Sequence, residues 1–210
     1  MTLHNNINHF RKDLKMNRNN KLHAMTISAM LCALGILIPI ISPIKITLEP
    51  ASFTLASHVA IFIAMFISPF TAIFVSIGTT IGFLIGGFPI VVVMRAATHI
   101  IFVIFGATLL KKFPNIINLI KTALPFSIAI SVIHGVCEVL VVLPFYFSNS
   151  MTAGYYAKGF ITSVILLVGV GTVIHSMIDF YLAQVIWKHV SKAVKIPEHI
   201  NMNEKYKQSI

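Results

Sequence analysis

Six runs of apolar residues, each bounded by Pro, Gly or polar punctuation, take up most of this 210-residue chain: Ala24 to Ile41, Leu55 to Ile67, Phe70 to Ile85, Pro89 to Leu110, Ala123 to Phe147 and Phe160 to Trp187. A helix of about 20 such residues matches the hydrocarbon thickness of a bilayer, where only helices and closed barrels satisfy their own backbone groups. Charged residues make up 10% of the chain and hydrophobic ones 57%, against about 25% charged in an average soluble domain, which excludes a water-soluble fold. The expectation is an all-α integral membrane protein, a bundle of six transmembrane helices over residues 23–192. A polar tail, 1–22, precedes it and a second tail, 193–210, follows. Ala24 to Ile41 is too long for a signal-peptide core and leads to no small-x-small cleavage site, so it is expected as the first retained span.

Basic residues set the orientation. Thirteen of the sixteen Lys and Arg flank the apolar runs, at Arg11, Lys12, Lys15, Arg18, Lys21, Lys111, Lys112, Lys121, Lys188, Lys192, Lys195, Lys205 and Lys207. Placing both termini in the cytoplasm leaves only Lys45 and Lys158 in outer loops, as the positive-inside rule favours. The formal charge of +10 is therefore a topology signal and does not imply a nucleic-acid partner. The outer loops then read SPIKITLEPASFT, GGFP and YFSNSMTAGYYAKG, the last with aromatic residues that suit either an interfacial belt or a lid.

Within the apolar runs a few polar residues stand out. Arg95 carries a permanent charge, and even the mildest insertion scale assigns it about 2.5 to 3.5 kcal/mol at a helix centre, so it is expected to face the bundle interior and bind an anion. Arg95 with His99, His134 with Glu138, and His175 with Asp179 are all spaced i,i+4, which puts each pair on one helix face. Counting inward from the loops places Arg95, Glu138 and His58 at similar depth in the outer half. Arg95 and Glu138 either neutralise each other or leave the guanidinium for a ligand; His175 and Asp179, reckoned to lie deeper, suit a packing pair.

Other features bound the function by what they lack. There is no phosphate-binding GxxxxGK[ST] loop, no dinucleotide fingerprint, no HExxH and no GxSxG, so neither an enzyme nor a cofactor is expected. Cys32 and Cys137 both lie in apolar runs, too few thiolates for a metal site, and are expected as packing residues. Gly78, Gly82 and Gly86 recur every four residues, a spacing that lets helices approach closely. Ala29 and Ala33 form a second small-residue face in the first run.

The first run, TISAMLCALGILIPII, behind a basic amino terminus in a six-span chain without an energising domain, resembles the substrate-binding component of an energy-coupling factor vitamin transporter. The resemblance covers Leu22 to Lys192. LEPASFTLASHVAIFIAMFISP, followed by RAATH in the fourth run, is similar to the niacin-type branch. The resemblance implies a bacterial plasma-membrane protein that binds a vitamin in the outer half of the bundle, under the loop after the first span. It implies that Ala29 and Ala33 dock a transmembrane coupling subunit, energised by two ATPase subunits. If the vitamin is nicotinate, Arg95 would hold its carboxylate and His58, His99 and Glu138 would line the polar side. Phe53 and Phe88 would pack on the ring. Pantothenate, also a carboxylate, remains open, as do a self-sufficient secondary transporter and a membrane scaffold.

Overall fold

The computed structural model describes residues 2–48 and 51–193. Helix α1 (Thr2–Ile41) leads into a β-hairpin of β1 (Lys45–Leu48) and β2 (Ala51–Thr54). Then come α2 (Val59–Ile67), α3 (Pro69–Ile85), α4 (Ile90–Lys112), α5 (Ile120–Phe147) and the short α6 (Ala153–Ala157). A π-helical stretch, Ile161–Val170, runs into α7 (Gly171–Ala193).

The molecule is inside-out relative to a soluble protein. Its outer surface carries Ile81, Leu84, Ile101, Phe105, Leu140 and Ile174, whereas Thr79, Ser127, Ser131, His134, Thr172 and Ser176 are buried. Such a surface suits lipid, and polar groups inside must then find one another. Among the described residues four helical segments are long and apolar enough to cross a membrane: Leu22–Ile41, Ile90–Lys112, Ile120–Phe147 and Ile161–Ser191.

Three expectations need adjustment. All six apolar runs are helical over most of their length, but the second yields a nine-residue α2, rising only about 14 Å at about 1.5 Å per residue. Its sequence, VAIFIAMFI, is apolar all round and every residue of it is buried, as befits a helix inside a bundle. It stops because Pro69 drives Ser68 into extended backbone (φ −168°), where the Ser68 hydroxyl accepts the Thr71 N–H at 3.1 Å and caps α3. Second, the fold is not wholly α. The loop SPIKITLEPASFT contains an antiparallel hairpin pairing Lys45 with Thr54 and Leu48 with Ala51, in a segment where β-branched residues are frequent. Third, the polar residues before Leu22 are helical from Thr2 onward, continuous with the first apolar run. The tail expected over 193–210 lies, beyond Ala193, outside the described residues.

The glycine repeat works within the chain. A Cβ on Gly78 would collide with Cys32 Sγ and one on Gly82 with Ile36, so α1 and α3 approach as closely as they do because these positions are bare. Cys32 and Cys137 are free cysteines in partly buried packing positions. On the other side of the bundle, Phe62, Phe66, Phe102, Phe180 and Trp187 are fully buried and form a continuous aromatic core around α2. Phe62 and Phe66 meet Phe180 edge-on at 5.3 and 5.5 Å.

Candidate functional site

Above that aromatic core lies a cavity of about 310 Å3, and Phe53, His58, Phe88, Arg95, His99 and Glu138 all stand on its wall. These six come from β2, the turn before α2, the α3–α4 loop, α4 and α5. Polar residues on otherwise apolar helices turn inward, and the inward faces of neighbouring helices meet. Ala29 and Ala33 are far from this group in character: both are exposed on α1, while Ser28 and Leu31 of the same helix are buried.

Arg95 and Glu138 do pair. Arg95 Nη2 donates to Glu138 Oε2 at 2.7 Å, and Thr172 Oγ1 donates to the same oxygen at 2.5 Å. His134 Nε2 lies 3.4 Å from Glu138 Oε1 without the alignment of a hydrogen bond. Arg95 Nε is buried and without a partner, so the pair occupies one corner of the guanidinium fork and leaves a donor uncommitted.

The second polar centre surrounds Asp179, whose side chain is fully buried. Its Oδ1 accepts the Ala56 N–H at 2.8 Å and its Oδ2 the His58 N–H at 2.9 Å. His58 Nδ1 lies 3.1 Å from Oδ2 and His175 Nε2 3.3 Å from it, while Ser57 Oγ meets His175 Nε2 at 3.0 Å. Ala56 has φ +67°, a left-handed conformation that costs a residue with a Cβ about 1 to 2 kcal/mol, and the Asp179 bonds on either side hold it there. A helix that ties down the turn at the head of α2 thereby fixes where the hairpin sits.

Four histidine rings gather between these centres. His58 lies 4.9 Å from His99, 4.8 Å from His134 and 5.1 Å from His175, ring centre to ring centre, all edge-on. These four lie on four separate segments, so nothing in their spacing along the chain announces the cluster.

Aromatic residues complete the wall. Phe83 and Phe88 stack at 4.5 Å with planes 15° apart, and a Cβ on Gly171 would come within 2.6 Å of the Phe53 ring, so that ring seats on α7 where the helix is bare. Phe53 also lies 5.6 Å from the His175 ring.

Further polar residues on the wall are Tyr155, Thr172 and His175, the last expected from its spacing only as part of a packing pair. Tyr155 belongs to YFSNSMTAGYYAKG, the loop read as belt or lid, and is almost fully buried. Burial pushes its phenol above the usual range, so it stays protonated as a neutral donor. Thr172, His175, Ser176 and Asp179 are spaced as one helix face, a signal present in the sequence beyond the single His175 and Asp179 pair.

Among known proteins the chain is similar to the niacin transporter NiaX of Lactococcus lactis subsp. cremoris (strain MG1363), with 39% identity over 177 residues, 84% of this chain and 78% of the relative. No protein-family model and no solved structure matches it.

Proposed function

This chain belongs to the family of the niacin transporter, and from that premise we propose that it captures nicotinate as the substrate-binding component of an energy-coupling factor importer. It is a multi-pass transport protein of the cell membrane and not an enzyme. The observation that carries the substrate reading is Arg95, a guanidinium on a cavity wall, its side chain 14% exposed, with only Nη2 engaged by Glu138. A carboxylate entering the cavity takes the free donors of the fork in a charge-assisted contact, and the guanidinium stays neutralised by Glu138 until it does. Pair and ligand site are thus two states of one arrangement.

The remaining wall suits a flat ring. Phe53, Phe83 and Phe88 offer aromatic surface, while His58, His99, Tyr155 and Thr172 offer polar partners for a heteroatom. A volume of about 310 Å3 stands at the small end of ligand pockets, roughly 300 to 1,000 Å3, which favours nicotinate over the longer, branched pantothenate.

In this reading the chain makes six passes with both termini cytoplasmic, the second pass built from α2 and the turn above it. The exposed Ala29 and Ala33 face docks the coupling subunit of a module carrying two ATPases, which suits a chain with no nucleotide-binding motif of its own. The deciding experiment is titration of nicotinate and a vitamin panel into the purified chain by calorimetry. Submicromolar nicotinate binding without ATP or partners is expected; binding of no panel member overturns the reading. Arg95→Ala should weaken nicotinate by about 2 to 5 kcal/mol, and an unchanged affinity would return Arg95 to a purely structural pair. Replacing Ala29 or Ala33 by Trp should abolish uptake in cells while nicotinate binding persists, and normal uptake would sink the docking assignment.

A further inference from the structure

We infer that His58, His99 and His134 form a binding site for one divalent transition-metal ion at the floor of the cavity, with a coordination position open toward the substrate. The metal site stands on ring geometry; only the identity of the molecule at its open position rests on the nicotinate reading.

The three rings come from the turn before α2, from α4 and from α5, and their centres form a nearly equilateral triangle with sides of 4.9, 4.8 and 4.8 Å. Three imidazoles sharing one ion at metal–nitrogen distances of about 2.0 to 2.1 Å would have ring centres about 5 Å apart. The ligating atoms of the three lie within 4.8 Å of one another, near enough for small side-chain shifts to bring them onto one ion.

The hydrogen bonding also fits. His58 Nδ1 is held by Asp179 Oδ2 at 3.1 Å and His134 Nδ1 by Ser176 Oγ at 3.2 Å, which leaves Nε2 of each as the ligating nitrogen. A carboxylate or hydroxyl behind a histidine is the outer-shell arrangement that orients metal ligands. His134 Nε2 and His99 Nδ1 are buried without a hydrogen-bond partner, in residues 0% and 5% exposed. Unpaired ring nitrogens in a bilayer-embedded core are costly, and a cation shared between them removes that cost.

Charge balance points the same way. Glu138 has the Arg95 guanidinium, whereas the nearest basic side chains to Asp179 are the imidazoles of His58 and His175. A dication beside neutral imidazoles compensates the second carboxylate. An all-nitrogen donor set of this kind suits zinc, nickel or cobalt over magnesium or calcium.

His99 lies about one turn, a rise of about 6 Å, further along α4 than Arg95. Nicotinate carries its carboxylate and its ring nitrogen in a meta relation, so one molecule can set the carboxylate on Arg95 and the pyridine nitrogen on the ion. Pyridine is a ligand of the same kind as imidazole.

The test uses the full chain without a polyhistidine tag, stripped with a chelator in detergent and reloaded with Co2+ or Zn2+. One Co2+ per chain is expected, with visible ligand-field bands that change when nicotinate is added, and about tenfold or tighter nicotinate binding to the Zn2+-loaded chain than to the stripped one. His99→Asn and His134→Gln, assayed separately, should each lose the bound ion, whereas Arg95→Ala should keep it. A wild-type chain that takes up no stoichiometric metal overturns the site, and nicotinate binding by that same stripped chain shows that the substrate reading survives. Stoichiometric metal with no nicotinate binding to either form sustains the site and defeats the substrate reading. Equal nicotinate affinity in both forms with an unmoved Co2+ spectrum overturns the open coordination position.

Discussion

Glu138 and Asp179 are two buried carboxylates, the first on the cavity wall and the second behind the wall residues Ser57, His58 and His175, and they are held in different ways. Glu138 is held by side chains from other helices, the Arg95 guanidinium at 2.7 Å and the Thr172 hydroxyl at 2.5 Å. Asp179 has side-chain partners too, but takes its two shortest bonds from backbone, the N–H groups of Ala56 and His58 at 2.8 and 2.9 Å. Side-chain partners can swing away and be replaced, whereas backbone partners move only with the segment they belong to. The first carboxylate is therefore suited to exchange its partner when a ligand arrives, and the second to set the shape of the turn and hairpin over the cavity.

The largest expected effect comes from breaking the backbone-held centre. Asp179→Ala leaves two amide N–H groups unpaired beside a left-handed Ala56, and should cost about 3 to 5 kcal/mol of stability together with ligand binding. A thermal unfolding midpoint in detergent equal to the wild type would show that Asp179 does not pin the turn. Gly78→Leu is the control remote from both centres: the clash with Cys32 should cost about 1 to 3 kcal/mol of stability and leave nicotinate affinity unchanged. Altered affinity in a folded Gly78→Leu chain would mean that the α1–α3 contact shapes the cavity as well.

Glu138→Gln sharpens the contrast, because it weakens the hold on Arg95 while keeping an acceptor in place. Nicotinate affinity should rise, by about 1 kcal/mol, where Asp179→Ala loses it; a fall measured by calorimetry would mean that Glu138 positions the guanidinium and does not compete for it. Tyr155→Phe removes one phenol from the wall and should weaken binding by at most about 1 kcal/mol. A larger loss would promote Tyr155 to a principal substrate contact.

The side of the molecule built from long helices was legible in the sequence. Arg95, His99 and Glu138 could be placed because an ionisable residue in a bilayer has one tolerable direction, inward, and helix spacing says which residues share it. The hairpin side was not legible. Strands of four residues are too short for alternation to declare itself, and the segment lacks the Asn-Gly or Asp-Gly signal of a tight turn. Counting along Leu55 to Ile67 as one helix places His58 near the outer end of the second run, and counting along Phe160 to Trp187 places His175 and Asp179 deeper. The chain instead enters as strand and turn before a nine-residue α2, and this brings Ala56 and His58 to Asp179. The four-histidine cluster was hidden in part for the same reason: its members lie on four separate segments, and while His99 and His134 meet across α4 and α5, only the turn brings His58 to them.

The aromatic floor has its own consequence. Rings run from His134 and Phe102 through Phe62 and Phe180 to Phe66 and Trp187, each within about 6 Å of the next and each fully buried. A close-packed interior of this kind yields only when its helices part. The protein is thus a cup and not a tube: what settles above Phe102 leaves by the rim, and delivery to the far side means turning or prising open the cup itself.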